Sequence, residues 1–144
     1  MATTVIKKTP NLDKLQRRLK NPQVGLKEAS TSVLAKAVKN WKSGKGLDGV
    51  TMKPLSDDYR KLKQSNKLKG QVNTSGLPDM LLTGKMIANF GIEQVSKYVY
   101  KVGWTNSNQQ QKANGNQNKR PNMLNVTKKV AEMATKVFNK WLKK

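Results

Sequence analysis

The sequence predicts an α+β domain in which a small antiparallel sheet or β-hairpin packs against two long helices. Two segments, at 24–42 and 127–142, place apolar residues at steps of three and four, the period of one helix face. Between them, apolar and polar residues mostly alternate over residues 80–104, which is typical of half-buried strands. A chain of 144 residues has the length of one domain of this class.

The N-terminal residues are expected to lie outside that domain. Residues 1–10 predict an extended basic arm, with a positive pair at Lys7 and Lys8 and with Pro10 closing it. Residues 11–144 are then expected to form the single α+β domain.

Helical segments fill the first half of the domain. A short helix is expected between Asn11, as its N-cap, and Asn21-Pro22, which ends it. The second helix has the clearest apolar stripe: Leu26, Ala29, Val33, Leu34, Ala37, Val38 and Trp41. Gly44-Lys45-Gly46 is expected to stop this helix. It is not a phosphate loop, which needs a longer Gly-rich pattern after a strand.

A short third helix is expected to open at residues 54–58, with Ser56 as its N-cap, and to run through Tyr59 and Leu62 toward Leu68. The adjacent carboxylates Asp57 and Asp58 then lie in the first turn, where negative charge suits the helix dipole.

The alternating segment predicts two antiparallel strands joined by a turn near residues 93–96. The apolar positions of the first strand are Met80, Leu82, Met86, Ala88, Phe90 and Ile92, and those of the second are Tyr98, Tyr100, Val102 and Trp104. Residues 105–119 are rich in Asn and Gln and predict a long polar loop, flexible or ordered by a partner. Arg120-Pro121 ends this loop, and the last helix is expected to begin near Thr127.

Composition argues against catalysis. The chain contains no cysteine and no histidine, which removes thiol nucleophiles, Cys or His zinc sites and imidazole acid–base chemistry. Its eight carboxylates are scattered. We therefore expect no enzyme activity, no metal and no cofactor.

The charge indicates a polyanionic or acidic partner. The chain has 29 Lys and Arg against 8 Asp and Glu, a net charge of +21, and the excess is spread over both halves. Such a charge favours nucleic acid, although a solvated lysine-rich surface is the plainer alternative. The candidate contacts with DNA or an acidic partner are Lys7, Lys8, Arg17, Arg18, Lys85, Lys97 and Lys101.

Two alternative uses of the apolar side chains carry less weight. The strand aromatics could stack on bases, but they share one parity with Val102 and so suit a core face better. The terminal helix could lie on an anionic membrane through Phe138 and Trp141, yet a core helix needs the same stripe. No apolar run approaches the roughly 20 residues that span a bilayer, so no membrane partner is expected.

The centre and the C-terminal half of the chain resemble the virion morphogenesis proteins of tailed bacteriophages, over about residues 48–142. The first matching segments are Pro54-Leu55-Ser56, Tyr59, Lys63 and Leu81-Leu82-Thr83-Gly84-Lys85-Met86. The later ones are Val102-Gly103-Trp104, Lys112-Ala113-Asn114-Gly115-Asn116-Gln117 and the Arg120-Pro121 corner before the last helix. The chain departs from the family at Met52-Lys53, where a Trp is frequent, and in having no His before the corner.

This resemblance implies a structural role at the neck of the virion, in head–tail connection or tail completion. It implies a homo-oligomeric ring around the DNA conduit, assembled in the cytoplasm of a bacterial host. The implied neighbours are other neck proteins, the tail terminator or tube, and the portal or its adaptor. The implied structural or assembly residues are Pro54, Tyr59, Leu82, Thr83, Gly84, Arg120 and Pro121. The alternative is a free basic nucleic-acid-binding protein, either architectural or single-strand-binding.

Overall fold

Six helices and one two-stranded sheet follow one another in the residues that the computed structural model describes, 10–79 and 84–144. The elements are α1 Pro10–Lys20, α2 Gln23–Lys42, α3 Asp57–Gln64, α4 Lys85–Ala88, β1 Phe90–Ser96, β2 Val99–Trp104, α5 Ser107–Lys119 and α6 Lys128–Lys143. A single 3-10 turn, Pro121–Leu124, joins α5 to α6. The predicted α+β class, with a small hairpin packed on helices, is confirmed.

Both long helices appear where their apolar stripes predict them. They pack against each other, and α1 packs against α6. At Gly25 of α2, a Cβ atom would lie 2.3 Å from Cε3 of Trp141 in α6, so the missing side chain is what lets the indole approach the α2 backbone. The hairpin in turn packs mainly against α2.

Gly25→Ala is expected to destabilise the protein by about 1–2 kcal/mol in urea unfolding. The new Cβ would lie 2.3–2.9 Å from three carbons of the Trp141 ring, so the displacement costs about 2–3 kcal/mol, the upper part of the range for overpacking, and exceeds the roughly 1 kcal/mol that alanine gains in a helix. The matched control is Gly115→Ala in α5, where no heavy atom of the described residues lies within 4 Å of the new methyl group. The free energy of unfolding of that variant is expected to rise by about 0.5–1 kcal/mol. Effects of the same sign in the two variants would contradict this account.

The hairpin begins and turns later than expected. β1 and β2 pair antiparallel from Phe90 opposite Trp104 to Ser96 opposite Val99, with an irregular register between Gln94 and Ser96. The predicted turn at 93–96 is wrong, because those residues lie in β1 and the turn is at 97–98. No Gly, Pro, Asn or Asp occurs at 93–96 to break the strand there.

The predicted first strand is helical instead at residues 85–88. Gly84 has a φ of 71°, in the left-handed region that favours glycine, and the single helical turn α4 follows directly. Met86 and its neighbour Ile87 both pack against the core, which a turn of helix permits and a strand does not. Met80 and Leu82 lie outside the described residues.

The core centres on three aromatic side chains brought together by α2 and the two strands. The Trp41 ring stacks on the Trp104 ring with centroids 5.8 Å apart, and Phe90 lies 4.7 Å from each of them. The indole N–H groups of the two tryptophans donate to backbone carbonyls, at 3.0 Å to Met123 and 2.9 Å to Met86. The predicted core parity is confirmed at Trp104, which is buried.

The polar segment 105–119 is a helix, so the prediction of a loop is wrong there. The Asn106 side chain accepts hydrogen bonds from the backbone N–H groups of Asn108 and Gln109 and caps α5. Ala113 is fully buried in the core, and Gln109 is also buried. Tertiary burial of one face thus stabilises a helix whose composition is typical of loops.

Smaller differences concern the helix ends. α1 begins at Pro10, a favoured first helical position, rather than after Asn11. Ser56 precedes α3 as predicted but makes no capping hydrogen bond through its side chain. Asp57 instead pairs with Arg60 one turn later, at 2.5 Å. The stop of α2 at Gly44 is confirmed, and Gly46 fits tightly beneath the Asn122 carbonyl.

Candidate functional site

An open groove of about 790 Å³ is bounded by residues that the structure describes. It lies where three distant parts of the chain converge: the segment before and within α3, the Pro78-Asp79 corner, and one side of α5. Its lining combines apolar side chains with a basic set: Lys53, Lys63, Lys112, Lys119 and Arg120.

Arg120 connects two walls of this groove. Its Nε donates to the Lys53 carbonyl at 3.1 Å and its Nη1 donates to Asn116 Oδ1 at 3.3 Å. Burial lowers the pKa of this guanidinium from its ordinary value, and the proximity of Tyr59 acts in the opposite direction. Arg120 also caps α5, since its backbone N–H donates to the Asn116 carbonyl. The corner therefore fixes α5 against the segment that leads into α3.

A buried ion pair forms another part of the groove. Lys63 is 1% exposed, and its ammonium group donates to Asp79 Oδ1 at 2.5 Å and to the Leu77 carbonyl at 2.8 Å. The other carboxylate oxygen of Asp79 accepts from Asn73 at 2.8 Å and Ser75 at 2.5 Å. This network joins α3 to the segment 73–79, which has no helix or strand of its own.

The electrostatics of the groove are strongly positive. Five cationic side chains face a single carboxylate, that of Asp79, which leaves a net charge of +4. Lys53, Lys112 and Lys119 are exposed, so they remain available to an incoming anionic group. With the apolar surface of Pro54 and Leu55 beside them, these lysines suit an acidic segment that also carries apolar side chains.

The structure brings several predicted assembly residues together. Pro54, Tyr59 and Arg120 all line the groove although up to 66 positions separate them in the sequence. Pro121 opens the adjoining 3-10 turn. Gly84, another of the implied structural residues, adopts a left-handed backbone before α4. Leu82 and Thr83 lie outside the described residues.

The predicted cationic contacts do not form one cluster. Lys85 begins α4, whereas Lys97 lies at the hairpin turn and Lys101 on β2, and all three are exposed. Arg17 is exposed on α1. Lys7 and Lys8 lie outside the described residues.

Arg18 is different, because the fold itself engages it. Its guanidinium donates to the Trp141 carbonyl and lies 5.5 Å above the Trp141 ring. Lys14 similarly donates to the Lys144 carbonyl at 2.5 Å. Two cations of α1 thus satisfy carbonyl groups at the C-terminal end of α6, where positive charge is favourable.

Most of the remaining charge lies on α1, α2 and α6, and both α1 and α2 pack against α6. We call α1, α2 and α6 the basic helical layer; residues 10–42 and 128–144 contain fourteen Lys or Arg and three Asp or Glu, a net charge of +11. On α6, Lys129, Lys136, Lys140 and Lys143 are all exposed. Exposed lysines of this kind are the groups that neutralise phosphates in protein complexes with nucleic acid.

Sequence reasoning missed two features of the site. The burial of Lys63 had no local signal, because its partner Asp79 is sixteen residues away. The helix α5 had a weak signal: Asn106 followed three residues later by Gln109 has the spacing of a capping box.

Fold and site together define a small, strongly basic α+β domain with a cationic groove. Within the described ranges, no three Asp or Glu side chains lie close enough to hold a metal ion. Helices 10–20, 23–42, 57–64, 85–88, 107–119 and 128–143, the ones that the structure describes, are all too short or too polar to cross a membrane. The chain matches no known protein family, no curated protein and no solved structure.

Proposed function

We propose that this protein is a non-catalytic structural subunit of a tailed-bacteriophage virion, acting in head–tail connection or tail completion. One observation carries the proposal: positive charge is concentrated on the basic helical layer, whereas the hairpin region is nearly neutral. Residues 86–111 carry two Lys and one Glu, a net charge of +1. A subunit of a ring around DNA needs both kinds of surface, one for phosphates and one for neighbours.

The groove supports the same proposal. Three residues of the resemblance to phage morphogenesis proteins, Pro54, Tyr59 and Arg120, form its walls. In the proposed neck the groove binds an acidic segment of a neighbour, such as another neck protein, the tail terminator or tube, or the portal or its adaptor. Contact with packaged DNA is nonspecific, because lysines that neutralise phosphates do not read bases.

The decisive experiment locates the protein in particles. We expect peptides of this chain in purified intact virions, and a label on the protein at the head–tail junction in electron micrographs. Its absence from particles that are otherwise complete would overturn the proposal.

The basic helical layer also favours the second candidate function, a free nucleic-acid-binding protein. Salt titration separates the two: a free binder associates tightly with DNA, whereas a neck subunit does so weakly until it is assembled. Tight binding by the unassembled chain together with absence from particles would establish this second function.

Removing positive charges from the exposed lysines of α6 should lower the affinity of the chain for DNA. In the variant with Lys129, Lys136, Lys140 and Lys143 all changed to Gln, we expect the magnitude of the slope of log K against log salt to fall by up to about 3.6, which is about 0.9 for each of the four lost phosphate contacts. The measurement is fluorescence anisotropy with duplex DNA at several salt concentrations. The control changes Lys61, Lys67 and Lys69 to Gln, three exposed lysines outside the layer, and should leave the slope nearly unchanged. Equal effects of the two sets would contradict a binding role for the layer.

A further inference from the structure

We propose that the outer face of the hairpin is the surface through which one copy of this chain contacts a second copy. We define the outer hairpin face by Gly91, Glu93, Lys101 and Gly103, which alternate with the core-facing residues of β1 and β2. The inference deepens the proposed function, which requires contacts between copies, by naming the surface that makes them.

Two glycines lie directly opposite each other on this face, and no contact with the described residues requires a glycine at either position. Gly91 pairs with Gly103 in the register, and neither has a positive φ. A Cβ at Gly91 would meet no heavy atom of the described residues within 4 Å, and one at Gly103 would meet only Lys101 Cε at 3.5 Å. Side chains would therefore fit at both positions without a clash with the described residues of the same copy.

Glycine in the interior of a strand lowers the stability of the strand. A contact with another molecule would account for the presence of two glycines here. Compared with alanine, each glycine weakens the strand through greater backbone freedom in the unfolded state. Glycine within a strand often marks a place where another backbone approaches closely. Two of them side by side remove both side chains from one patch and leave the hairpin backbone open to such an approach.

The distribution of charge favours a second copy of this chain as the partner that covers the outer hairpin face. Two molecules of net charge +21 repel each other wherever their basic surfaces meet, and residues 86–111 carry only +1. Glu93 lies opposite Lys101 on the face, so each copy offers one anionic and one cationic group to its neighbour. DNA is the poorer occupant, because the basic helical layer offers it far more positive charge.

The end of the hairpin enlarges this contact surface. Val95, Tyr98 and Val99 are all at least half exposed, and Tyr98 is 61% exposed. β1 and β2 have no further strand paired to them among the described residues. Exposed apolar side chains and unpaired strand edges are features that proteins usually cover by association.

The first arm of the test changes the shape of the face. We expect sedimentation equilibrium of the wild-type chain, at a salt concentration that screens its charge, to show self-association. In the variant Gly91→Val/Gly103→Val we expect an equal or higher melting temperature and association weakened by about tenfold or more. Asn114→Ala is the control, because this exposed side chain lies on α5, outside both the hairpin face and the groove, and should leave association unchanged.

The second arm changes only the charge. Glu93→Lys replaces an exposed negative charge with a positive one, which raises the net charge of the face by two in each copy. It should weaken association, with partial recovery as salt is raised. A monomeric wild-type chain at all concentrations, unchanged association in both variants, or loss of folding in the valine variant would each overturn the inference. Incorporation into virions is measured separately, so the proposed function stands or fails on its own result.

Discussion

Lys63→Met is expected to lower the free energy of unfolding by about 3–5 kcal/mol, because it leaves the Asp79 carboxylate buried without its cation. Both side chains of the pair are almost completely buried, at 2% and 1% exposure. The measurement is chemical denaturation followed by tryptophan fluorescence, and the matched control is Lys61→Met, two positions away and exposed on the same helix. The control should change stability by no more than about 0.5 kcal/mol.

A double-mutant cycle isolates the pair itself. Asp79→Asn keeps groups able to bond with Asn73 and Ser75 but removes the charge that faces Lys63. We expect the double variant Lys63→Met/Asp79→Asn to be more stable than the sum of the two single effects predicts, since no unpaired charge remains. Additive effects, or a loss below about 1 kcal/mol for Lys63→Met, would contradict a coupled buried pair.

Trp41→Ala is expected to lower the free energy of unfolding by a similar amount, about 3–5 kcal/mol, or to leave the chain unfolded. The indole is fully buried and contacts both other aromatic rings of the core, so its removal leaves a cavity between α2 and the hairpin. Thermal and urea unfolding measure the effect. The control, Tyr98→Ala, truncates an exposed aromatic side chain at the hairpin turn. It should change the free energy of unfolding by no more than about 0.5 kcal/mol.

Trp41→Phe separates packing from hydrogen bonding at the same position. It keeps an aromatic ring but removes the N–H group that donates to the Met123 carbonyl at 3.0 Å. That carbonyl also accepts from the Leu47 N–H at 3.1 Å, so it is not left unpaired and the expected loss is about 1–2 kcal/mol. A loss as large as that of Trp41→Ala would show that the ring contacts contribute little.

Local pattern was sufficient for the elements with strong periodicity. α2 and α6 lie within one or two residues of their predicted positions, because their apolar stripes must face a core whatever that core contains. The strand β2 was predicted within one residue on the same ground. Alternation failed at 85–88, since a period of two over a few residues does not exclude a single helical turn after a left-handed glycine.

Some properties follow from the order and kind of the residues before any folding is considered. The charge of +21, its spread along the chain, and the lack of cysteine and histidine chemistry are of this kind, as are the two long helices. Others required the folded chain, because they depend on residues far apart in the sequence. The helix at 107–119 forms where Ala113 reaches the core, Lys63 meets Asp79 across sixteen positions, and the groove joins 53–59 to 109–120. No local period encodes such meetings, which exist only once burial has brought the segments together.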